Sequence, residues 1–264
     1  RYNSINSNII MLYIDIVDIT KADYLELCIE INSSIEVIMS LIDKIQPKDD
    51  KYLKLIIENY IPTNIQGKKD ILTRLLKDCG LNINAENCLV DTIKYNEIEI
   101  LAFLLDQGAD PNIPVEYNET CLDVAIDDNY GDVNLDILKL LLNKGAVPSG
   151  NLLLILCNIR PGIKINESAV ECLLKHGANP NSKENKDALF YAVRKKEINI
   201  VKLLIDYGAN SRVKVTPVFI MRLGDNDSNL DFTVESALEC SERLNLINIT
   251  EIFNNTYWKP QPIA

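Results

Sequence analysis

Five segments of this chain share one pattern, in which an apolar helical stretch ends in a glycine and a short polar turn follows. The glycines are Gly80, Gly108, Gly145, Gly177 and Gly208, and they are spaced 28, 37, 32 and 31 residues apart. Just past the end of a helix the backbone often turns left-handed, a conformation in which glycine avoids a clash with a Cβ atom. Three of the turns also carry an X-Pro step, which prevents the helix from continuing. The pattern therefore predicts a helix that ends at each glycine.

A second, earlier helix is predicted in each repeating segment. Its start is marked by a capping or turn residue followed by an apolar patch, and the seven starts lie at Asp23, Lys51, Asn87, Thr120, Gly150, Asp187 and Thr216. We expect the Asp, Asn and Thr side chains among them to accept hydrogen bonds from the free N–H groups of the first helical turn. The starts are spaced 28 to 37 residues apart. A helix–turn–helix unit of about 33 residues, repeated about seven times, is therefore predicted.

These units resemble the ankyrin repeat family. The turns Gly108-Ala109-Asp110-Pro111-Asn112 and Gly177-Ala178-Asn179-Pro180-Asn181 match its G-A-D/N-x-N motif, and Thr120-Cys121-Leu122-Asp123-Val124-Ala125 matches its T-P-L-x-x-A helix start. The sequence departs from the family pattern because only Thr216 is followed by proline and no unit keeps the histidine of T-P-L-H. The resemblance implies an all-α ankyrin-repeat solenoid with degenerate capping repeats at both ends.

The resemblance also suggests a division of the chain. Residues 1–22 are predicted to be an N-terminal cap or a remnant repeat, and residues 23–230 to be ankyrin repeats, best matched over 84–212. Residues 231–255 are predicted to be capping helices, because a terminal repeat needs a polar outer side. Residues 256–264 are predicted to be an extended tail.

Composition excludes several classes of protein. With 27 basic and 38 acidic residues the net charge of the chain is −11, which argues against nucleic acid or an anionic membrane as the main partner. No apolar run is longer than six residues, as in Leu152 to Cys157, which is far short of a membrane span. The seven cysteines are widely spaced, without a C-x-x-C pair. They favour a reducing compartment, the cytoplasm, over a disulfide framework or a zinc site.

The sequence predicts no catalytic site, metal site or cofactor. The chain has a single histidine, His176, and it occupies the ordinary slot at a helix end. A phosphate-binding loop, a dinucleotide-binding glycine motif and a zinc-protease motif are all missing from the sequence. A nucleophilic cysteine paired with His176 is the alternative, against core positions for Cys88, Cys121 and Cys172.

Partner-binding residues are assigned from the family resemblance, which implies a concave face lined by the turn tips and the inner helices. The slots after the inner helix hold Lys94, Tyr95, Asp127, Asp128, Arg194 and Lys195. The slots before the helix-end glycine hold Gln107, Lys144, His176 and Tyr207. The turn tips hold Asp110, Asn112, Tyr117, Asn118, Lys183, Asn185, Arg212 and Lys214. Tyrosine and arginine at such slots often anchor protein interfaces.

Charge is unevenly distributed along the repeats. Residues 119–136 hold six acids and no base, whereas residues 183–214 hold eight bases and four acids. Such a distribution can orient a partner of complementary polarity, although a run of charges is usually a solvated face.

The predicted function is a non-catalytic protein–protein interaction module that is monomeric alone. The worn repeats and the Ile/Asn/Lys-rich composition are similar to ankyrin proteins of poxviruses and other large DNA viruses, and of intracellular bacteria or protists. That similarity implies an effector in the host cytoplasm with a host regulatory protein as partner, or an adaptor for a ubiquitin ligase. The alternatives are a scaffold for an enzyme whose catalytic part lies outside these residues, and self-assembly through an exposed end repeat.

Overall fold

The computed structural model describes residues 22–60, 65–85, 87–115, 119–126, 133–148, 150–158, 164–215 and 235–255. These residues form fourteen helices and one antiparallel pair of two-residue strands. The helices are α1 (Ala22–Glu30), α2 (Ile35–Ile45), α3 (Lys51–Asn59), α4 (Ile65–Lys77), α5 (Cys88–Lys94), α6 (Ile98–Asp106), α7 (Cys121–Ile126), α8 (Leu135–Asn143), α9 (Leu152–Cys157), α10 (Glu167–Lys175), α11 (Ala188–Arg194), α12 (Ile198–Asp206), α13 (Ala237–Arg243) and α14 (Ile247–Asn255). The strands are β1 (Lys214–Val215) and β2 (Glu235–Ser236). The predicted all-α class is confirmed.

Two compact units divide the chain, unit 1 at residues 1–124 and unit 2 at residues 125–264. In unit 1 each first helix packs on the second helix of its own pair: α1 on α2, α3 on α4 and α5 on α6. The first helices also contact one another in order, α1 to α3 to α5, and so do the second helices, α2 to α4 to α6. Every pair therefore buries its apolar side against the next pair, as stacked repeats do.

Unit 2 repeats this arrangement with the later helices. The pairs are α9 with α10, α11 with α12 and α13 with α14. The first helices stack as α9, α11 and α13, and the second helices as α8, α10, α12 and α14. Helix α7 spans residues on both sides of the division at Val124.

The core consists of short apolar stripes rather than long helices. In α2, for example, the buried residues are Val37, Ile38, Leu41 and Ile42, each at most 1% exposed, and their spacing places them on one side of the helix. Helices of 6 to 13 residues are marginal on their own in water. Packing of these stripes between neighbouring pairs therefore supplies most of their stability.

The predicted helix-end glycines adopt the left-handed conformation. The φ angles of Gly80, Gly108, Gly145, Gly177 and Gly208 lie between +74° and +97°, which confirms the prediction. A second left-handed position, inside the turn between the two helices of a pair, was not predicted from the sequence. It is occupied by Asn32, Asn96, Lys196 and Asn245. Asparagine tolerates this conformation better than most residues with a side chain.

Gln46 lies at the end of α2, where later repeats have their glycine, and its φ is +47°. A side chain in this conformation is strained, so Gln46→Gly is expected to raise the free energy of unfolding by about 0.5–1 kcal/mol. The reciprocal variant Gly145→Ala is expected to lower it by a similar amount, although an added Cβ there would meet nothing within 4 Å. Urea unfolding of both variants tests the pair, and a loss of stability in Gln46→Gly would contradict the explanation.

The side-chain caps predicted at Asn87 and Asp187 are wrong. Neither Asn87 nor Asp187 accepts a hydrogen bond from its helix. Their backbones are left-handed and right-handed helical, respectively, whereas a capping side chain needs an extended backbone. Two second helices have side-chain caps instead, since extended Asn134 caps α8 and extended Asn166 caps α10.

The last helix pair, α13 and α14, lies within the segment predicted to cap the repeats. Ser236 begins α13 with a capping box, in which the Ser236 hydroxyl accepts from the Glu239 N–H and the Glu239 carboxylate accepts from the Ser236 N–H. The predicted start at Thr216, residues 1–21 of the N-terminal cap predicted over 1–22, and the tail over 256–264 lie outside the described residues. In the part of the chain that is described, no helix is long and apolar enough to cross a membrane.

Candidate functional site

A ladder of side-chain hydrogen bonds joins the polar turns of successive repeats. Each rung starts at an Asp or Asn in one turn and ends at a backbone N–H in the next. The Asn82 N–H donates to Asp50 Oδ1 at 2.7 Å, and the Asp110 N–H donates to Asn84 Oδ1 at 2.9 Å. In unit 2 the Asn210 N–H donates to Asn181 Oδ1 at 2.8 Å, and Asn181 Nδ2 donates to the Gly208 carbonyl at 2.7 Å. These rungs satisfy backbone groups that the turns expose, and they fix the spacing of the tips.

The ladder gives two predicted site residues a structural role. Asp110 Oδ1 accepts from the Asn112 N–H at 2.9 Å and from Asn112 Nδ2 at 3.2 Å, which closes the turn. Both side chains are exposed. A partner at this tip would therefore meet side chains that are already held in place, and their role in binding stays a prediction.

Asn181→Ala is expected to lower the free energy of unfolding by about 1–2 kcal/mol, because it removes one donor and one acceptor of the rung in unit 2. Asn199 offers a matched control on α12. Its exposed amide bonds Glu167 at 3.2 Å, and Asn199→Ala is expected to cost less than about 0.5 kcal/mol. Urea unfolding of both variants makes the comparison. Equal losses of stability would show that the rung contributes nothing beyond an ordinary surface contact.

The ends of the first helices carry one set of predicted site residues. Lys94 and Tyr95 end α5 in unit 1, and both are exposed, Tyr95 by 53%. Arg194 and Lys195 end α11 in unit 2, where Arg194 is exposed and Lys195 is half-buried. The two pairs occupy the same positions of their repeats, since both precede a left-handed residue, Asn96 or Lys196.

The ends of the second helices carry another set. Gln107, Lys144, His176 and Tyr207 are the C-terminal capping residues of α6, α8, α10 and α12, and all four are exposed. One ring nitrogen of His176, Nδ1, lies 2.8 Å from the Cys172 carbonyl, and Nε2 lies 3.4 Å from Asn143 Oδ1. The histidine therefore closes its helix end, as the sequence indicated.

The structure does not gather the predicted site into one cluster. A pair of helices joined by a turn of a few residues runs back on itself. The first-helix ends and the second-helix ends therefore lie at opposite ends of each pair. The turn residues Lys183 and Arg212 are exposed on the side of the second-helix ends. Tyr117, Asn118, Asp127 and Asp128 lie outside the described residues.

Asn185 was predicted as an exposed turn-tip residue, and that prediction is wrong. Its side chain is 3% exposed. Asn185 Oδ1 accepts from the Leu154 N–H in the first turn of α9 at 3.3 Å, and Nδ2 donates to the Asn179 carbonyl at 3.3 Å. The residue therefore satisfies polar groups of a neighbouring repeat, and its amide is unavailable to a partner.

Sequence reasoning missed an ion pair between two repeats of unit 1, formed by a buried lysine and a glutamate whose side chain is 27% exposed. Lys68 on α4 is 1% exposed, and its Nζ lies 2.7 and 2.8 Å from the two carboxylate oxygens of Glu97. Nζ also donates to the Ile57 carbonyl at 2.8 Å. Burial lowers the pKa of Lys68, and the Glu97 carboxylate partly opposes that shift. The sequence carried a signal, because Lys68 lies in phase with the buried stripe of Ile71, Leu72 and Leu75.

The candidate reactive groups among the described residues are the cysteines and the other side-chain types that bind metal ions. All seven cysteines are free and buried, which confirms the core positions predicted for Cys88, Cys121 and Cys172. Burial raises the pKa of Cys121 and of Cys157 to about 12, which disfavours the nucleophilic thiolate. Among the described residues no group of His, Cys, Asp and Glu side chains is arranged to hold a metal ion. A shallow depression under the turns of unit 1 is lined by Asn84, Asn87, Asp110 and Ile113 beside buried Cys88 and Cys121.

The family comparison agrees with this geometry. The family described as ankyrin repeats (three copies) matches residues 63–151 and 153–215, which is more than half of the chain. A search of curated proteins finds no match to this chain. Ankyrin repeats generally mediate protein–protein interactions and are typically non-catalytic. The helix pairs, the left-handed glycines and the family match together show that this chain belongs to the ankyrin repeat family.

Proposed function

We propose that this protein is a non-catalytic module that binds another protein through the turns and first-helix ends of its repeats. The observation that carries the proposal is the outward position of Tyr95 and Arg194, at equivalent positions of two repeats. In α5 the six residues before Lys94 are all buried. The exposure of Tyr95 therefore does not result from loose packing of its helix.

Large amphipathic side chains at such positions are suited to an interface. Tyrosine and arginine offer a wide contact area together with a polar group, and they are enriched among the residues that dominate binding energy. Rigid helices hold them, so little conformational entropy is lost when a partner is bound. About half of Tyr95 is exposed, and that area is available to a partner.

Affinity purification from a reducing cytosolic extract, read by mass spectrometry, tests the proposal. The variant combines Tyr95→Ala with Arg194→Ala. The matched control combines Ile65→Ala with Lys202→Ala, which are exposed residues on the second helices α4 and α12. A protein retained by the parent and the control but lost by the variant would support the proposal. A protein retained equally by all three would place the site elsewhere.

The setting of this interaction is also a proposal. Seven free, buried thiols support a reducing compartment such as the cytoplasm. We propose a host regulatory protein as the partner, with a ubiquitin-ligase adaptor role as the narrower form of this hypothesis. Loss of binding to a ligase subunit after deletion of residues 231–264 would support the adaptor role. A constant monomer mass in light scattering would support a protein that is monomeric alone.

A further inference from the structure

A row of large apolar side chains is exposed along the first helix of unit 1. Tyr24 is 44% exposed, Leu27 is 50% exposed and Ile31 is 46% exposed. Tyr24 and Leu27 lie on one side of α1. Ile31 directly follows the helix and continues the same side, since its N–H donates to the Leu27 carbonyl at 2.9 Å. The opposite side of the same helix is packed, since Leu25 and Ile29 are 0% exposed. Helix α1 therefore has two apolar sides, and the core uses only one of them.

The row extends along the stack of first helices in unit 1. Leu55 on α3 lies 28 residues after Leu27 and occupies the same position in its repeat. Leu55 is half-buried. Tyr95 on α5 occupies the repeat position of Ile31 and is 53% exposed. Helix α1 contacts α3, and α3 contacts α5. We call Tyr24, Leu27, Ile31, Leu55 and Tyr95 the apolar row.

Acidic side chains run beside the apolar row. Glu30 on α1 is exposed and makes no ion pair with any described residue. Glu58 occupies the same repeat position on α3, and its only ion pair within the described residues is a long one, 3.8 Å to Lys54. In unit 2 the position of Glu30 is taken by Arg194. On α5 in unit 1 the same position is taken by Lys94, which is exposed. The acidic character therefore belongs to α1 and α3 alone among these first helices.

The charge of the whole unit has the same sign. Residues 1–124 hold 21 acidic and 11 basic residues, a net charge of −10, whereas residues 125–264 hold 17 and 16, a net charge of −1. Nearly all of the net negative charge of the chain lies in the unit that carries the apolar row. Such a field attracts a cationic partner and accelerates its encounter.

From this juxtaposition we infer that the apolar row docks a basic, amphipathic segment of a partner protein. This inference rests on the proposed function and assigns it a partner chemistry. Apolar side chains of the segment would cover Leu27 and Ile31, and its lysines or arginines would lie beside Glu30 and Glu58. Two copies of this face would bring like charges together, which disfavours a second copy of the chain as the occupant.

Fluorescence anisotropy with defined peptides tests the inference on the full chain. The probe is a labelled helical peptide of leucine and lysine, with leucines on one side. The controls are the same peptide with glutamate in place of lysine, and a scrambled leucine–lysine peptide. We expect the parent to bind the first peptide at least about tenfold more tightly than either control, because only that peptide matches both rows.

Variants separate the contribution of each row. Leu27→Ser combined with Ile31→Ser leaves the net charge unchanged and is expected to weaken binding by about tenfold or more. Glu30→Gln combined with Glu58→Gln is expected to weaken it by a few-fold and to reduce its salt dependence. The matched control, Ile65→Ser with Asp106→Asn, changes an exposed apolar and an exposed acidic residue on second helices and is expected to leave binding unchanged. Circular dichroism confirms that each variant is folded.

Three outcomes would overturn the inference. The first is equal binding of the lysine and glutamate peptides. The second is a peptide affinity that is the same for the parent and the Leu27/Ile31 variant, or no peptide binding by either protein. Either result would show that the peptide does not dock on the apolar row. The third is a dimer of the parent that the Leu27/Ile31 variant abolishes. A different result would separate this inference from the proposed function. If Arg194→Ala abolishes capture of a partner protein and the Leu27/Ile31 variant retains it, the proposed function is supported and this inference is not.

Discussion

Glu97→Ala is expected to lower the free energy of unfolding by about 3–5 kcal/mol, because it leaves the Lys68 ammonium buried without its counter-ion. Nζ of Lys68 would keep one partner, the Ile57 carbonyl at 2.8 Å. The matched control is Glu171→Gln. Glu171 pairs with Lys175 at the same 2.7 Å, but both of those side chains are about half exposed, so a loss below about 0.5 kcal/mol is expected. Urea unfolding followed by circular dichroism measures both.

The double variant Lys68→Met with Glu97→Ala separates a buried charge from lost packing. Replacement of a buried pair by apolar side chains is often neutral, so most of the lost stability is expected to return. If the double variant is as unstable as Glu97→Ala alone, the cost does not arise from an uncompensated charge.

The pH dependence of Glu97→Ala provides a second check. Burial already lowers the pKa of Lys68 from 10.5, and removal of the carboxylate lowers it further. Between that lowered folded value and 10.5 the unfolded chain binds the proton more tightly than the folded chain, so stability rises with pH. The difference between variant and parent is therefore expected to shrink from pH 7 to pH 9. A constant difference would show that Lys68 does not release its proton.

Cys157→Ala is expected to make the protein less sensitive to alkali. Burial raises the pKa of Cys157 to about 12, compared with 9.0 for an ordinary thiol. The folded chain therefore holds the proton while the unfolded chain loses it, and the stability from this group is present below pH 9 and is lost as the pH rises toward 12. At pH 11 the loss is about 3 kcal/mol, since each pH unit above 9 corresponds to about 1.4 kcal/mol.

Urea unfolding of the parent and of Cys157→Ala between pH 8 and pH 11 tests this prediction. The variant is expected to lose less stability than the parent over that range. The free energies of unfolding of the two proteins are therefore expected to approach each other as the pH rises. Val201→Ala also shortens a fully buried side chain in unit 2, but it removes no titratable group. Its curve is expected to run parallel to that of the parent, and a parallel curve for Cys157→Ala would contradict the assigned pKa.

Much of the fold could be predicted because its signals are local. Each helix-end glycine and the apolar stretch before it lie within about ten residues. The first helix of a pair could be located by the polar residue and the apolar patch at its start. The capping box of Ser236 and Glu239 is an equally local signal for α13, which the regular spacing of repeats obscured. The side-chain caps at Asn87 and Asp187 were misplaced because the backbone of neither residue is extended, and the residue type alone does not reveal that conformation.

Which site residues are exposed could largely be predicted from the sequence, but the contacts that they make with other repeats could not. The positions of Tyr95 and Arg194 within the ankyrin repeat indicated that both residues lie at a surface. Position within the repeat gave no reason to distinguish Asn185 from Asn181, because the partner of Asn185 is the Leu154 N–H, 31 residues away. The pairing of Lys68 with Glu97 joins residues 29 apart and depends on the packing of α4 against the following pair. Contacts of this kind are decided by the stack, and a local pattern does not encode them.

The ladder of turn hydrogen bonds has a consequence for how this chain tolerates changes of length. Its rungs join residues 32, 26 and 29 positions apart, from Asp50 to Asn82, from Asn84 to Asp110 and from Asn181 to Asn210. Each rung needs only one Asp or Asn side chain and one backbone N–H at the tips. The segments between the tips can therefore lengthen or shorten while neighbouring repeats keep the same anchoring points, so insertions and deletions can accumulate during evolution without disturbing the register of the stack.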